Sequence, residues 1–321
     1  MKSSNLSAQK EKEQAFLYAS VIGGCFLAIY FLTKLFNKLI IFIAHQFPSF
    51  WNYDNGNVAD SFVYIFYAVI CFALPAIVFS KIMGIKMYEN VSFGRAKKGM
   101  GLPVFMAAVG IIPMANYINN IIVNIFKSYN YNPTDGIVII SPQSVAGMVL
   151  YAVHIAVIPA FCEELLCRAF VFGSLRKFGE HTAAVFSAVI FALFHKNFQQ
   201  IPFAFVLGLV FAYALSISGS IWIPVLVHFI NNLASFAFEL LSQHTGDLTY
   251  RLVSGIYMMT LAVMGVIGII WLSVKINKGT LDIPSYKGEV SAVSRNLHIY
   301  ISPTVIAFVG LMLYLAIENM K

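Results

Sequence analysis

Long apolar runs separated by short polar punctuation organise this chain. About 20 apolar residues cross a bilayer core as a helix. On that ruler nine segments stand out, at 15–44, 62–80, 102–125, 145–166, 183–194, 201–217, 221–241, 252–274 and 303–317. The fifth is short; it either begins earlier, near Phe178, or stops part-way through the membrane. Lys34 lies inside the first and is read as dividing one long helix into a spanning and an interfacial part. The pattern predicts an all-α polytopic membrane bundle of about eight to nine transmembrane helices. With no tandem repeat and no large hydrophilic block, residues 1–321 read as a single membrane domain, with a motif-bearing core over about 143–242.

Composition agrees. Apolar residues make up 59% of the 321 residues, charged residues 11%, and mean hydropathy is +0.78. Soluble domains carry about a quarter charged residues. Residues 1–14 are polar and the first apolar run is too long for a cleavable signal, so that segment is expected to stay. Cys25, Cys71, Cys162 and Cys167 all fall in predicted spans, where a thiol acts as a small hydrophobe, and no disulfide is expected.

The net charge of +7 is scattered among loops, which reads as orientation signals and excludes nucleic acid as a partner. Lys81, Lys86, Arg95, Lys97 and Lys98 occupy the loop 81–98, whereas 45–60 has no Lys or Arg. Arg168, Arg176 and Lys177 follow the fourth span; Lys275, Lys278, Lys287 and Arg295 follow the eighth. These alternate if the N-terminus is cytoplasmic and the C-terminus outside, with Glu163 and Glu164 toward the cytoplasmic end of their helix.

The candidate chemistry begins at those two adjacent carboxylates, since ionisable side chains at membrane depth are expensive and point to function. On a helix Glu164 and Arg168 share a face, while Glu163 is turned about 100° away. One glutamate is then locked by arginine and the other left free. His195 ends an apolar helix, with Phe191 one turn before it; His228 and Asn232 stand four apart on another, with Asn231 close to the same face.

A carboxylate can take a proton from water, while imidazoles and an amide can stabilise an oxyanion; together they could hydrolyse a peptide bond without a covalent intermediate. Glu163, His195 and His228 would also suit a catalytic zinc with an open position, but that set lacks a separate base unless Glu164 serves. A lone transmembrane His or Asn usually bonds helices together; four such features within 70 residues argue otherwise. His154, nine residues before Glu163 and half a turn out of phase, is read as structural. A thiol-protease reading of Cys162 and Cys167 fails on Glu163, which would raise the neighbouring thiol pKa.

Glu163-Glu164-x-x-x-Arg168, Phe191-x-x-x-His195 and His228-x-x-x-Asn232 resemble, in order, the three motifs of the CPBP family, the CAAX-protease and bacteriocin-processing membrane proteins also called Abi. The run Gly219-Ser220-Ile221-Trp222-Ile223-Pro224 is similar to what members carry before the third motif. The resemblance implies an integral protein, here expected in a bacterial plasma membrane, acting as an intramembrane endopeptidase whose cavity opens toward the cytoplasm. It implies a small or lipid-anchored peptide substrate and Glu163 as the base that activates water. Glu164 and Arg168 would hold the site, His195 would act with Glu163 on water or a metal, and His228 and Asn232 would stabilise the oxyanion. The family is commonly filed with metalloproteases, so zinc is a candidate cofactor. The alternatives are a non-catalytic immunity or scaffold protein of the same family, and a transporter, which would show matching broken helices in two halves. Proteolysis also requires Glu163 and His195 to converge to within about one water molecule.

Overall fold

In a computed structural model, residues 2–48, 56–87, 91–129, 144–278 and 290–319 are described. Ten helices and no strand occur among them. They are α1 (Lys2–Gln46), α2 (Gly56–Ala68, continued through Val69–Ala73 and Leu74–Ile82), α3 (Gly101–Ser128), α4 (Val145–Phe178), α5 (Glu180–Phe194), α6 (Ile201–Ser218), α7 (Trp222–His244), α8 (Asp247–Asn277), α9 (Ala292–Tyr300) and α10 (Pro303–Glu318). Seven are long and apolar enough to cross a membrane, or eight if the bent pair α9–α10 forms one span. The helical bundle and its apolar segments match the sequence reading; the count is lower because the fifth segment is too short and the ninth counts only together with α9.

α1 runs past Lys34 as one unbroken helix of 45 residues. Residues 279–289, between the eighth and ninth segments, lie outside the described residues, but the chain after them forms α9, which packs on α1. Buried Arg295 helps fix α9, donating from Nη2 to Thr182 Oγ1 at 3.3 Å. Most consequentially, α4 does not stop near Leu166 but continues to Phe178, so Glu163 lies deep within its helix instead of near the cytoplasmic end.

Helix α6 is the hub. More than half of its apolar window (56%) is buried, against 17% for α8, which presents Leu252, Ile256, Met259, Val263 and Ile270 outward as a lipid-facing surface. α6 packs on α5 and α7, and α7 packs back on α4. The four helices α4 to α7 therefore surround one interior.

Two departures from α geometry in α2 and α4 share a cause. The π turn Val69–Ala73 precedes Pro75, and Val153–Val157 precedes Pro159. A proline inside a helix removes an N–H and crowds the carbonyl four residues back, and a wider turn relieves the crowding. Leu74 N–H reaches back to Val69 O and Ile158 N–H to Val153 O, the five-residue pattern. A third, longer π segment, Leu165–Phe172, is buried throughout and contains no proline; the Cys167 carbonyl within it accepts from Ser187 Oγ at 2.7 Å.

Candidate active site

The site is built on the α4–α5 hairpin. Gly179 turns the chain at φ 120°, a conformation costly for any side chain. Arg176 Nε clamps the turn by donating to Glu180 Oε1 at 3.0 Å. Glu163 and His195 are each sixteen residues from Gly179 on antiparallel helices, and so lie at nearly the same level. α5 has 15 residues and is about 22 Å long, shorter than a hydrocarbon core of about 30 Å. His195, at its C-terminus, therefore sits at interior depth.

Three of the six sequence-predicted residues are joined directly, and a fourth, Glu163, stands beside them. Arg168 Nε lies 3.1 Å from Glu164 Oε2, with both side chains fully buried. His228 Nδ1 lies 3.0 Å from Glu164 Oε1, and its Nε2 lies 3.9 Å from Glu163 Oε2. A carboxylate only accepts, so Nδ1 carries the proton toward Glu164. Nε2 then faces Glu163 as an acceptor in the neutral ring and as a donor in the imidazolium. Glu163 keeps 16% of its side chain exposed while Glu164 keeps none, which separates the two carboxylates into an accessible one and a locked one.

Aromatic rings fix the cation and the imidazole. The Arg168 guanidinium lies over Phe191 at 4.5 Å and Phe211 at 5.1 Å. Phe211 stacks on His228 at 5.1 Å, and Phe191 meets His228 edge-on at 5.7 Å. Arg168 Nη2 donates to the Gly208 carbonyl at 3.1 Å. α6 comes this close because Gly208 has no side chain: a Cβ there would stand 2.9 Å from Ala188 Cα. The Arg168 Nε to Glu164 contact is an ion pair off the hydrogen-bond line, and Nη1 is buried without an acceptor among the described residues. Buried polar atoms of this kind usually hold water.

His195 and Asn232 stand one step removed. His195 Nδ1 bonds to the Phe191 carbonyl at 2.8 Å, which turns Nε2 away from its own helix, and the His195 ring meets the Phe191 ring at 5.0 Å. Phe191 thus touches both histidines. Asn232 Nδ2 donates to the Ile155 carbonyl at 3.3 Å, and its Oδ1 accepts from Asn231 Nδ2 at 3.2 Å. Ile155 is the residue four before Pro159 and so lacks its usual helical donor; Asn232 supplies one. One N–H of Asn232 is therefore committed to the backbone of α4.

The remaining candidates fall out as the sequence suggests or short of it. His154 bonds Ser61 Oγ at 3.3 Å and stacks on Tyr64 at 4.1 Å, tying α4 to α2. Cys162 and Cys167 are buried free thiols, and the Nδ1 atoms of His195 and His228 bond elsewhere. Glu163 and His228 face each other as two donors of the metal set, yet no group of three His, Cys, Asp or Glu side chains among the described residues is arranged to hold an ion. No step is therefore routed through a metal. Sequence reasoning missed Phe211 and Gly208, because apolar residues within an apolar helix carry no mark; Phe191 was visible only through its spacing to His195.

Residues 145–234 match the family described as Rce1-like, type II CAAX prenyl endopeptidase Rce1-like, consistent with the CPBP motifs. That family is one of proteases, which supports an enzymatic role in a membrane. No curated protein and no solved structure matches the chain.

Proposed function

We propose that this protein is a glutamate-dependent intramembrane endopeptidase acting on a small or lipid-anchored peptide. The observation that carries the reading is the pair of unequal carboxylates around His228, with Glu164 locked between Arg168 and Nδ1 while Glu163 is accessible 3.9 Å from Nε2. A water seated between Glu163 Oε2 and His228 Nε2 can touch both at about 2.8 Å. Glu163 removes its proton as the water oxygen attacks the scissile carbonyl carbon. The resulting oxyanion takes hydrogen bonds from the second Asn232 N–H and from His228 Nε2–H, a proton that His228 carries throughout the cycle while Nδ1–H stays turned to Glu164. The C–N bond then breaks, and the proton held by Glu163 passes to the leaving amine. His195 Nε2 orients the water from the α5 side. Arg168, Phe191 and Phe211 hold the imidazole without touching substrate.

The positive loops support a cytoplasmic N-terminus and a site that receives substrate from the cytoplasmic side. The test is cleavage of a C-terminally prenylated peptide by the purified chain in liposomes, with products mapped by mass. Wild type should release a C-terminal fragment, and His228→Ala should release none. A fully active His228→Ala variant would refute the mechanism.

A further inference from the structure

Helix α7 carries a polar line that the proposed chemistry does not use. Beyond His228, the residues Asn231, Ser235, Glu239 and Ser242 follow at steps of three, four, four and three, which is one face of a helix. They border a half-open cavity of about 280 Å³ between α7, α8, α3 and α6, lined on the far side by Asn116 and Tyr257. From Asn231 to Ser242 the line runs about 16 Å, roughly half the thickness of a hydrocarbon core. It ends at the turn between α7 and α8.

Several polar atoms here ask for solvent. The Tyr257 hydroxyl is buried without a partner among the described residues. Glu239 accepts an exposed hydrogen bond from Gln243 at 2.9 Å, and a carboxylate facing hydrocarbon would be costly. Asn116 spends one N–H on the Ile112 carbonyl at 3.2 Å and presents the rest of its amide to the cavity. The volume admits several waters, with the two to four polar partners each needs. At its inner end Asn231 donates to Asn232, which is tied to Ile155 on the helix that carries Glu163.

We infer that this cavity is a hydrated vestibule that delivers water to the Glu163–His228 pair from the membrane face bearing the α7–α8 turn. The inference rests on the hydrolytic reading of that pair. With a cytoplasmic N-terminus this face is the outer one, so water and peptide reach the site from opposite sides of the bilayer. The arrangement solves a problem of buried hydrolysis: a substrate filling the cytoplasmic opening would otherwise shut out its own co-reactant.

The test uses the full-length protein in liposomes and a charged, membrane-impermeant methanethiosulfonate, with labelling at each position read by mass spectrometry. Ser235→Cys and Ser242→Cys should react about tenfold faster than Leu233→Cys, which lies on the outward face of α7. Ser235→Cys reacting no faster than Leu233→Cys overturns the proposal, even if Ser242→Cys at the mouth is labelled, because the cavity would then be lipid-filled or too shallow. In a second arm, Ser235→Phe, or Ser235→Leu if the larger ring prevents folding, should lower kcat about tenfold with KM within about twofold. An unchanged kcat in a folded, plugged variant overturns delivery. Labelling does not depend on cleavage, so a failure of the protease reading is distinguishable from a dry cavity.

Discussion

Removing the Arg168 side chain probes the architecture of the site at its most loaded point. Arg168 is fully buried, faces Glu164 Oε2 at 3.1 Å, donates to Gly208 O at 3.1 Å and lies between the rings of Phe191 and Phe211. Arg168→Met keeps the volume and the ring contacts but leaves Glu164 as a buried carboxylate with His228 as its remaining partner. Breaking a buried ion pair from one side costs about 3–5 kcal/mol. At about 2–4 °C of Tm per kcal/mol for a chain of this order, thermal unfolding in detergent should begin about 10 °C earlier. Arg168→Met combined with Glu164→Leu removes both charges, and most of that loss should be recovered, since an apolar replacement of a whole buried pair is often close to neutral. Activity should not return with stability, because His228 Nδ1 has then lost the carboxylate that orients it. A single variant within about 1 kcal/mol of wild type, or a double variant no more stable than the single, would refute the claim that this pair is a buried, mutually dependent unit.

Two further expectations follow from individual contacts. Asn232→Ala orphans the Ile155 carbonyl and should cost about 1–3 kcal/mol in thermal or denaturant unfolding; adding Pro159→Ala restores a backbone donor and should return part of it, and no rescue would exclude this account of the π turn. Gly208→Ala forces a Cβ to 2.9 Å from Ala188 Cα, so it should destabilise by about 1–3 kcal/mol and lower kcat as the Arg168 acceptor shifts; unchanged values would mean that α5 and α6 give way freely.

How much of this was legible in sequence depends on what each residue advertises. Apolar runs near the length of a bilayer core announced the spans, and the four-residue spacing of Glu164 and Arg168 announced their pairing. The end of α4 was misread for a physical reason. Arg168, Arg176 and Lys177 look like a helix leaving the membrane, yet Arg168 is enclosed by Glu164, Gly208 and two phenylalanine rings, so its charge marks the interior. The hairpin at Gly179 returns α5 along α4, with Glu163 and His195 each sixteen residues from the turn. α9 escaped notice because it is short, with four polar residues among its nine, and its helix is fixed by tertiary contacts, including Arg295 to Thr182. The phase argument for His154 assumed an unbroken α-helix; the π turn Val153–Val157 alters that phase, although the contacts with Ser61 and Tyr64 keep the residue in a structural role.

The division of labour between the two adjacent glutamates is tested most directly by paired conservative substitutions, with cleavage rate and thermal stability measured on the same purified samples. Glu163→Gln should lower cleavage by at least about a hundredfold while leaving Tm near the wild-type value, as expected for loss of a general base. Glu164→Gln should lower both, because it weakens the hold on Arg168 and His228 together. A Glu163→Gln protein that cleaves at the wild-type rate would contradict the account.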